Sequence, residues 1–390
     1  MADPSDELRA AQKVALDLAE RAEEADRTGR LAPEDVEALR SSALLGLMVP
    51  ERLGGSGASF LDYSEIAMAL AEGSGAVALV FNMHASVTGA LAQTPDELVQ
   101  ALGASPAYFE MRDRVLTAAR QGAFYAVAMS ERGAGARLSA LSTRYRIEGS
   151  GFRIIGSKSF VSGAALADAF LVAAKSEGDT GEVSYFLVPA GEGVVVEETW
   201  DSLGMRATGS HDLHLDVAVG SDALVGGLEG IGVALADLMP QWLVASYAAV
   251  YVGVAKAAVD AAVDHVRARS LEHLPAIRSR IGRADAAVAA ARLSVLEAAR
   301  RVDKSPGTAD TNRWVWRAKL LAGETAMEVA ASMLEAAGSS ASRRGHPLER
   351  IYRDARCGSL QPATSDVCAD WLGLATLGMD PNRASEIPRW

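Results

Sequence analysis

The chain has 390 residues and a mass of 40.8 kDa, more than one domain usually holds, which indicates two or three packed units. Hydrophobic residues make up 49% and charged residues 23%, a composition that excludes intrinsic disorder over most of the chain. The net charge of −12 makes nucleic acid and anionic membrane surfaces poor partners.

The cysteines and the N-terminus indicate a reducing compartment. Cys357 and Cys368 form no CxxC pair, so neither a disulfide framework nor a thiolate zinc site is expected. The sequence begins Met-Ala-Asp-Pro-Ser-Asp-Glu, which lacks the basic region of a signal peptide. The most apolar stretch, 242–255, is too short to span a bilayer and is predicted to be a buried helix. We therefore expect a cytoplasmic protein.

The hydrophobic period changes twice along the chain. Apolar residues at three-four spacing predict helices over 8–22, from Pro33 onward and around 66–79. From about 121 to 220 the period falls to two, and Gly149-Ser150-Gly151 predicts a hairpin between two strands. Alanine-rich helical patterns then return, with breaks near Gly307 and Gly338. These changes predict an α-helical domain (1–120), a central β domain (121–225) and a C-terminal helical bundle (226–390).

Two glycine-containing segments could carry chemistry. Residues 129–135, Met-Ser-Glu-Arg-Gly-Ala-Gly, follow an apolar strand, and glycines let backbone N–H groups approach a bound group. Residues 156–163 place an aromatic ring two positions before a hydroxyl, a pair that could stack on a flat cofactor and bond its edge. Each segment alone is also compatible with an ordinary strand-to-turn transition. His211 and His214 lie three apart on a predicted strand and so face opposite sides, and no metal site is expected.

Taken together and in this order, the two segments resemble the acyl-CoA dehydrogenase superfamily of flavoproteins. Further matches extend along nearly the whole chain, at 47–55, 203–210, 352–355 and 364–365. The resemblance implies an α+β, mostly α fold: an N-terminal α-helical domain, a central β-barrel and a C-terminal four-helix bundle. It also implies FAD, bound between the β domain and the bundle of a homo- or hetero-oligomer.

The family's cofactor-binding positions transfer residue by residue. In the implied chemistry an α proton leaves an acyl thioester and a β hydride passes to flavin N5. Ser130 would bond the flavin edge, Phe160 would cover one face of the ring, Ser162 would bond near N5, and Arg269 would reach a diphosphate. The full set of implied flavin positions is Met129, Ser130, Phe160, Val161, Ser162, Arg269, Gly338, Thr364, Ser365 and Asp366.

The sequence departs from the family at the catalytic base. The two positions at which members carry the glutamate are Pro362 and Leu243, and neither side chain can accept a proton. Asp366 is the nearest carboxylate in sequence, but a helix cap is the commoner use of such a residue. The family's substrate-contacting positions are Ala136 and Arg137 here. Pro275 replaces a glutamine that helps to bind FAD.

Three functional interpretations follow from this mixture of matches and departures. The first is α,β-dehydrogenation of an acyl thioester with an unidentified base. The second is a flavin-dependent monooxygenase on the same fold, since such relatives use reduced flavin and O₂ and need no glutamate. The third is a base-less partner subunit of a hetero-oligomeric dehydrogenase. The expected partners are an acyl thioester or other small molecule, together with an electron-transfer protein or a flavin reductase.

Overall fold

The computed structural model describes residues 5–135, 137–178 and 181–379. Within these ranges, helices flank a central seven-stranded sheet, in the predicted order. The helices are α1 (Asp6–Thr28), α2 (Pro33–Ser41), α3 (Phe60–Gly73), α4 (Gly75–Gln93), α5 (Asp96–Ala101), α6 (Pro106–Arg120), α7 (Ile231–Leu238), α8 (Ala245–Ala268), α9 (Pro275–Lys304), α10 (Ala309–Ala337), α11 (Pro347–Arg356) and α12 (Ser365–Thr376).

The central sheet follows the order β1-β4-β2-β3-β7-β6, and β5 also pairs with β4. Its strands are β1 (Tyr125–Ala128), β2 (Arg144–Glu148), β3 (Gly151–Val161), β4 (Ala169–Ser176), β5 (Val183–Pro189), β6 (Val194–Glu197) and β7 (His211–Gly220). The predicted hairpin is present: β2 and β3 pair antiparallel, with Glu148 opposite Gly151. The α–β–α prediction is confirmed.

One predicted helix is two. The pattern around 66–79 reads as one helix, but α3 ends at Gly73 and α4 begins at Gly75. Ser74 between them has an extended backbone, and its side chain accepts a hydrogen bond from the Val77 N–H as the cap of α4. At Gly73 a Cβ would lie 2.0 Å from the Ala15 carbonyl oxygen, so the lack of a side chain there lets the end of α3 approach α1 closely. Apolar periodicity continues across Ser74 and hides the break.

Helices α4 and α8 form the centre of the molecule. Both are long and apolar enough to cross a membrane by length and composition, and 89% and 72% of their most apolar windows are buried inside the fold. In α8 nearly the whole segment 245–259 is buried, as predicted for 242–255. Helices α8, α9 and α10 pack together, α11 contacts α8 and α10, and α12 contacts α10.

Candidate functional site

The first motif forms a tight loop directly after β1. Glu131 and Gly135 exchange backbone hydrogen bonds of 3.0 and 2.9 Å across it. Gly133 and Gly135 have φ of 86° and 61°, values that glycine adopts without strain. Ser130 at its start is half-buried, and its carbonyl oxygen accepts the Ser159 N–H at 2.9 Å. The two motifs are therefore joined through their backbones.

A buried ion pair also joins the two motifs. Lys158 Nζ donates to Glu131 Oε1 at 2.8 Å, and the two side chains are 0% and 3% exposed. Glu131 also accepts the N–H and hydroxyl of Ser142, each at 2.6 Å, and the Thr143 N–H at 3.0 Å. Burial alone would raise the pKa of Glu131, but the hydrogen bonds from Lys158 and Ser142 outweigh it and lower the pKa to about 2.

The Glu131–Lys158 pair was not predicted from the sequence, where both residues were part of a motif but were given no function of their own. The available signal was that a lysine and a glutamate each stand just beside apolar strand residues, where an unpaired charge would be costly.

The second motif presents an aromatic ring at the surface of the β domain. A register shift in the β3–β7 pairing between Lys158 and Val161 turns the strand. Within it Phe160 has φ of 61° and is 59% exposed, and its ring meets Trp200 edge to face at 5.9 Å. Val161 points inward and is fully buried. An exposed phenyl ring that packs against the Trp200 ring is suited to cover a flat ligand.

The C-terminal positions lie at the start of α12. Thr364 caps the helix by accepting the Val367 N–H, and Ser365 is buried with a hydroxyl that has no hydrogen-bond partner among the described residues. Asp366 is exposed in the first turn, as expected of a residue that complements the helix dipole. Beneath the preceding loop, the fully buried Lys319 donates to the Gly358 carbonyl oxygen at 2.8 Å.

The remaining predicted positions are less informative. Gly338 ends α10 with φ of 78° and has open space around it. Arg269 is exposed at the end of α8, and Arg137 is exposed in the β domain. Ala136 lies outside the described residues. The predicted positions therefore fall partly on the β domain and partly on separate segments of the C-terminal helices.

A mostly apolar cavity of about 90 Å³ lies beside the first motif. It is bounded by α4, α6, α7, β1, β4, β5 and the turn at 240–243, and the Met129 side chain forms part of its wall. Its polar lining residues are all uncharged: Ser86, Gln93, Thr94, Tyr108, Tyr185, Gln241 and Trp242. No described lining residue is a carboxylate, a lysine or an arginine.

The two positions at which family members carry the catalytic base, 243 and 362, lie in different surroundings. Leu243 lines the cavity, whereas Pro362 is exposed and is not among the described lining residues. Asp366 also does not line it. The structure therefore provides no carboxylate facing this cavity from the described residues.

One wall of the cavity depends on a close contact between α4 and Trp242. A Cβ built on Gly89 would lie 2.1 Å from Trp242 Cζ2, so only glycine fits there. Trp242 Nε1 and Gln241 Oε1 are buried without hydrogen-bond partners among the described residues. Both residues line the cavity, and their two unpaired atoms are one acceptor and one donor.

We expect Gly89→Ala to lower the free energy of unfolding by about 1–3 kcal/mol, because the added methyl overpacks the contact and displaces the indole. Urea unfolding measures this change. Gly282→Ala is the matched control, since Gly282 lies in α9 with nothing within 4 Å of its Cβ position. Helix propensity should make the control slightly more stable. Equal stability of the two variants would contradict the packing argument.

The 352–355 motif ties the domains together. Arg353 binds both carboxylate oxygens of Asp26 at 2.9 and 2.6 Å and also pairs with Glu349 at 2.7 Å. Asp354 accepts the Met205 N–H at 2.5 Å, and burial raises the pKa of Asp354 to about 6. This motif therefore fixes α11 against α1 and against the exit of the β domain.

The chain folds as an N-terminal helical part, a central sheet and a C-terminal helical part. Family models for the N-terminal, middle and C-terminal domains of acyl-CoA dehydrogenase match residues 7–100, 126–218 and 245–364. The chain belongs to the acyl-CoA dehydrogenase superfamily, as the sequence motifs predicted.

Individual relatives fall on both sides of a functional divide. The putative acyl-CoA dehydrogenase YdbM of Bacillus subtilis (strain 168) is 30% identical, covering 91% of this chain and 92% of its own length. The L-evernosamine nitrososynthase of a Micromonospora species is also 30% identical, covering 91% and 86%. Among solved structures, FMN-bound TdsC of Paenibacillus sp. A11-2, a dibenzothiophene monooxygenase, superposes with a TM-score of 0.85 at 26% identity, covering 96% and 98%.

Proposed function

We propose that the protein is a flavin-dependent monooxygenase that receives reduced flavin from a separate reductase. The observation that carries the proposal is the cavity without a carboxylate, in which Leu243 occupies a position where dehydrogenases of the family carry their base. Removing an α proton requires an acceptor within hydrogen-bond reach, and none of the described lining residues supplies a charged one. Oxygen insertion does not need that acceptor.

The residues of the site fit a flavin. Phe160 offers an exposed ring face, and the buried Ser365 hydroxyl has no hydrogen-bond partner within the described part of the chain, a role that a ligand atom would fill. The resemblance assigns Ser130 to the polar edge of the flavin ring and Ser162 to a position near N5. When bound in its reduced form, a flavin supplies electrons that activate O₂ for transfer of one oxygen atom to a substrate.

We propose FMN as the flavin, with FAD, which the resemblance implies, as the second candidate. FMN is the flavin named in the TdsC structure, which supports this choice. The position of the glutamine that helps to hold FAD is Pro275, the first residue of α9, so an amide donor is missing there. FMN needs no contact at the adenine end, so it tolerates that loss.

The cavity favours a small, uncharged, largely apolar substrate. Its wall consists mainly of aliphatic and aromatic side chains and contains no charge among the described residues. A charged substrate buried there would have no charged partner, and the lost hydration of its charge would cost several kcal/mol. Gln241 and Trp242 could bond one polar atom of the substrate.

Dehydrogenation of an acyl thioester is the second candidate, supported by the likeness to YdbM. It requires a base that the described cavity does not contain, such as a group brought by a partner subunit. A missing general base typically costs about 10²–10⁴-fold in rate. Turnover of ordinary acyl-CoAs by the isolated protein is therefore expected to be slow or absent.

The test supplies the purified protein with a flavin reductase, NADH, FMN or FAD, and ¹⁸O₂, using indole and dibenzothiophene as probes. We expect one ¹⁸O atom in a product, with FMN more effective than FAD. In a parallel anaerobic experiment, butyryl- and octanoyl-CoA are mixed with the flavin-bound protein while the flavin absorbance is followed. Rapid bleaching by a thioester, at rates typical of enzymes, would overturn the monooxygenase proposal.

A matched pair of variants tests the site itself. Phe160→Ala should weaken flavin binding, because the ring that covers the flavin is lost. Leu203→Ala removes an apolar side chain that is 62% exposed, close to the 59% of Phe160, and should leave binding unchanged. Activity that appears only after co-expression with a glutamate-bearing relative would instead support the role of a partner subunit.

A further inference from the structure

A chain of three hydroxyl groups runs from the second motif into the β-domain exit. Ser162 Oγ lies 2.8 Å from Ser210 Oγ, which lies 2.6 Å from Thr208 Oγ1. Thr208 Oγ1 lies 2.8 Å from the Met205 carbonyl oxygen. The three side chains are 7%, 5% and 0% exposed, so water does not compete for the inner members of the chain.

The far end of the chain fixes the direction of every hydrogen bond in it. The Thr208 hydroxyl donates to the Met205 carbonyl oxygen, which can only accept. Ser210 can then bond Thr208 only as a donor, and Ser162 can bond Ser210 only as a donor. Because each hydroxyl has a single hydrogen, Ser162 has none left, and its free lone pair can only accept a hydrogen bond.

The same carbonyl also anchors the ring-bearing part of the site. Trp200 Nε1 donates to the Met205 oxygen at 3.2 Å, and the Trp200 ring supports Phe160. The Met205 N–H is held by Asp354. The Met205 carbonyl oxygen also accepts the Thr208 N–H at 3.1 Å, so the acceptor at the end of the chain is held in place.

This directionality matters for a flavin because N5 changes its hydrogen-bonding character with redox state. N5 of oxidised flavin carries no hydrogen and accepts, whereas N5 of reduced flavin carries a hydrogen and donates. We propose that Thr208 and Ser210 are positioning residues that make Ser162 a hydrogen-bond acceptor and so give the site a preference for reduced over oxidised flavin. The inference rests on the proposed function. A monooxygenase that receives reduced flavin from a reductase needs to bind the reduced form in preference to the oxidised form.

The test measures binding rather than turnover. Wild-type apoprotein is titrated anaerobically with FMN and with dithionite-reduced FMN, and quenching of tryptophan fluorescence gives the two dissociation constants. Reduced FMN is expected to bind more tightly. In Thr208→Val the acceptor of the Ser210 hydrogen is lost, so Ser210 can donate to Ser162 and Ser162 can donate to oxidised N5. The ratio of the two constants should then shift about two- to tenfold toward oxidised FMN, the worth of one hydrogen bond.

Two further variants make the result decisive. Ser210→Ala frees the Ser162 hydroxyl to rotate and should shift the ratio in the same direction, which covers the case that Thr208→Val does not fold. Ser202→Ala removes a nearby hydroxyl that donates to the Gly204 oxygen at 2.7 Å, outside the chain, and should leave the ratio unchanged. Equal binding of the two FMN states by the wild type, or an unchanged ratio in both chain variants, overturns the inference and leaves the proposed function standing. Failure to bind either form of FMN overturns both.

Discussion

Lys158→Met is expected to lower the free energy of unfolding by about 3–5 kcal/mol, because it leaves a buried carboxylate without its cation. Glu131 would keep only the bonds from Ser142 and Thr143, at 3% exposure. The ion pair also holds the loop after β1 against β3, so the same variant should weaken flavin binding. Urea unfolding and FMN titration measure the two effects separately.

The matched control is Lys256→Met, which removes a lysine from a solvent-exposed pair. Lys256 and Asp260 are four residues apart on α8, with side chains 44% and 49% exposed. Exposed helix pairs of this kind contribute about 0.3–0.5 kcal/mol, so the control should change stability little. A similar loss in both variants would show that burial adds nothing to the Glu131–Lys158 pair.

The pH dependence of the unfolding free energy follows from the direction in which the pKa of Glu131 is shifted. The pKa of Glu131 is lowered from an ordinary 4.5 to about 2, so its ionised form is stabilised in the folded protein. The resulting stability is fully present above about pH 4.5 and is lost as the pH falls toward 2. In Lys158→Met the cation that lowers this pKa is gone, so the folded-state pKa of Glu131 rises and the stability lost between about pH 4.5 and pH 2 should become smaller than in the wild type. Unfolding free energies measured from pH 6 to pH 2 report the difference.

The sequence predicted the architecture because its periodicity is strong over long stretches. Alternation around Tyr145 and Phe152 and the alanine-rich helices identified the three domains without any contact information. The break at Ser74 was not predicted, because serine occurs inside helices as well as at their N-caps, so the residue type alone does not mark a helix end. The structure shows the break as an extended Ser74 that caps α4, next to the close approach of Gly73 to Ala15.

The candidate site was predictable in its motifs and not in its cavity. Phe160 and Ser162 could be chosen because a local pattern carries them. The cavity combines residues from α4, α6, three strands and the turn at 240–243, and no local pattern joins segments so far apart. The absence of an ionisable group at positions 243 and 362 was readable from the sequence, but only the structure shows that Leu243 lines the cavity and Pro362 does not.

Arg353→Met is expected to destabilise the protein by about 3–5 kcal/mol, since it leaves two carboxylates facing each other without their shared cation. Arg353 is 6% exposed, and Asp26 and Glu349 are each 13% exposed. Arg353→Lys should recover little of this loss, because an ammonium group cannot reproduce the two parallel bonds to Asp26. Arg27→Met, which removes an arginine that is 69% exposed beside Glu24, serves as the control.

The loss should also appear as a loss of cooperativity between domains. Arg353 joins α11 to α1, and the neighbouring Asp354 holds the Met205 N–H at the exit of the β domain. With Arg353 removed, the helical and β domains are expected to unfold at different urea concentrations, as reported by circular dichroism at 222 nm for the helices and by hydrogen exchange of the β-strand amides. A double-mutant cycle with Asp26→Asn isolates the contact, because the second substitution should cost much less once Arg353 is gone. If the two costs simply add and the two probes still coincide, the contact does not couple the domains.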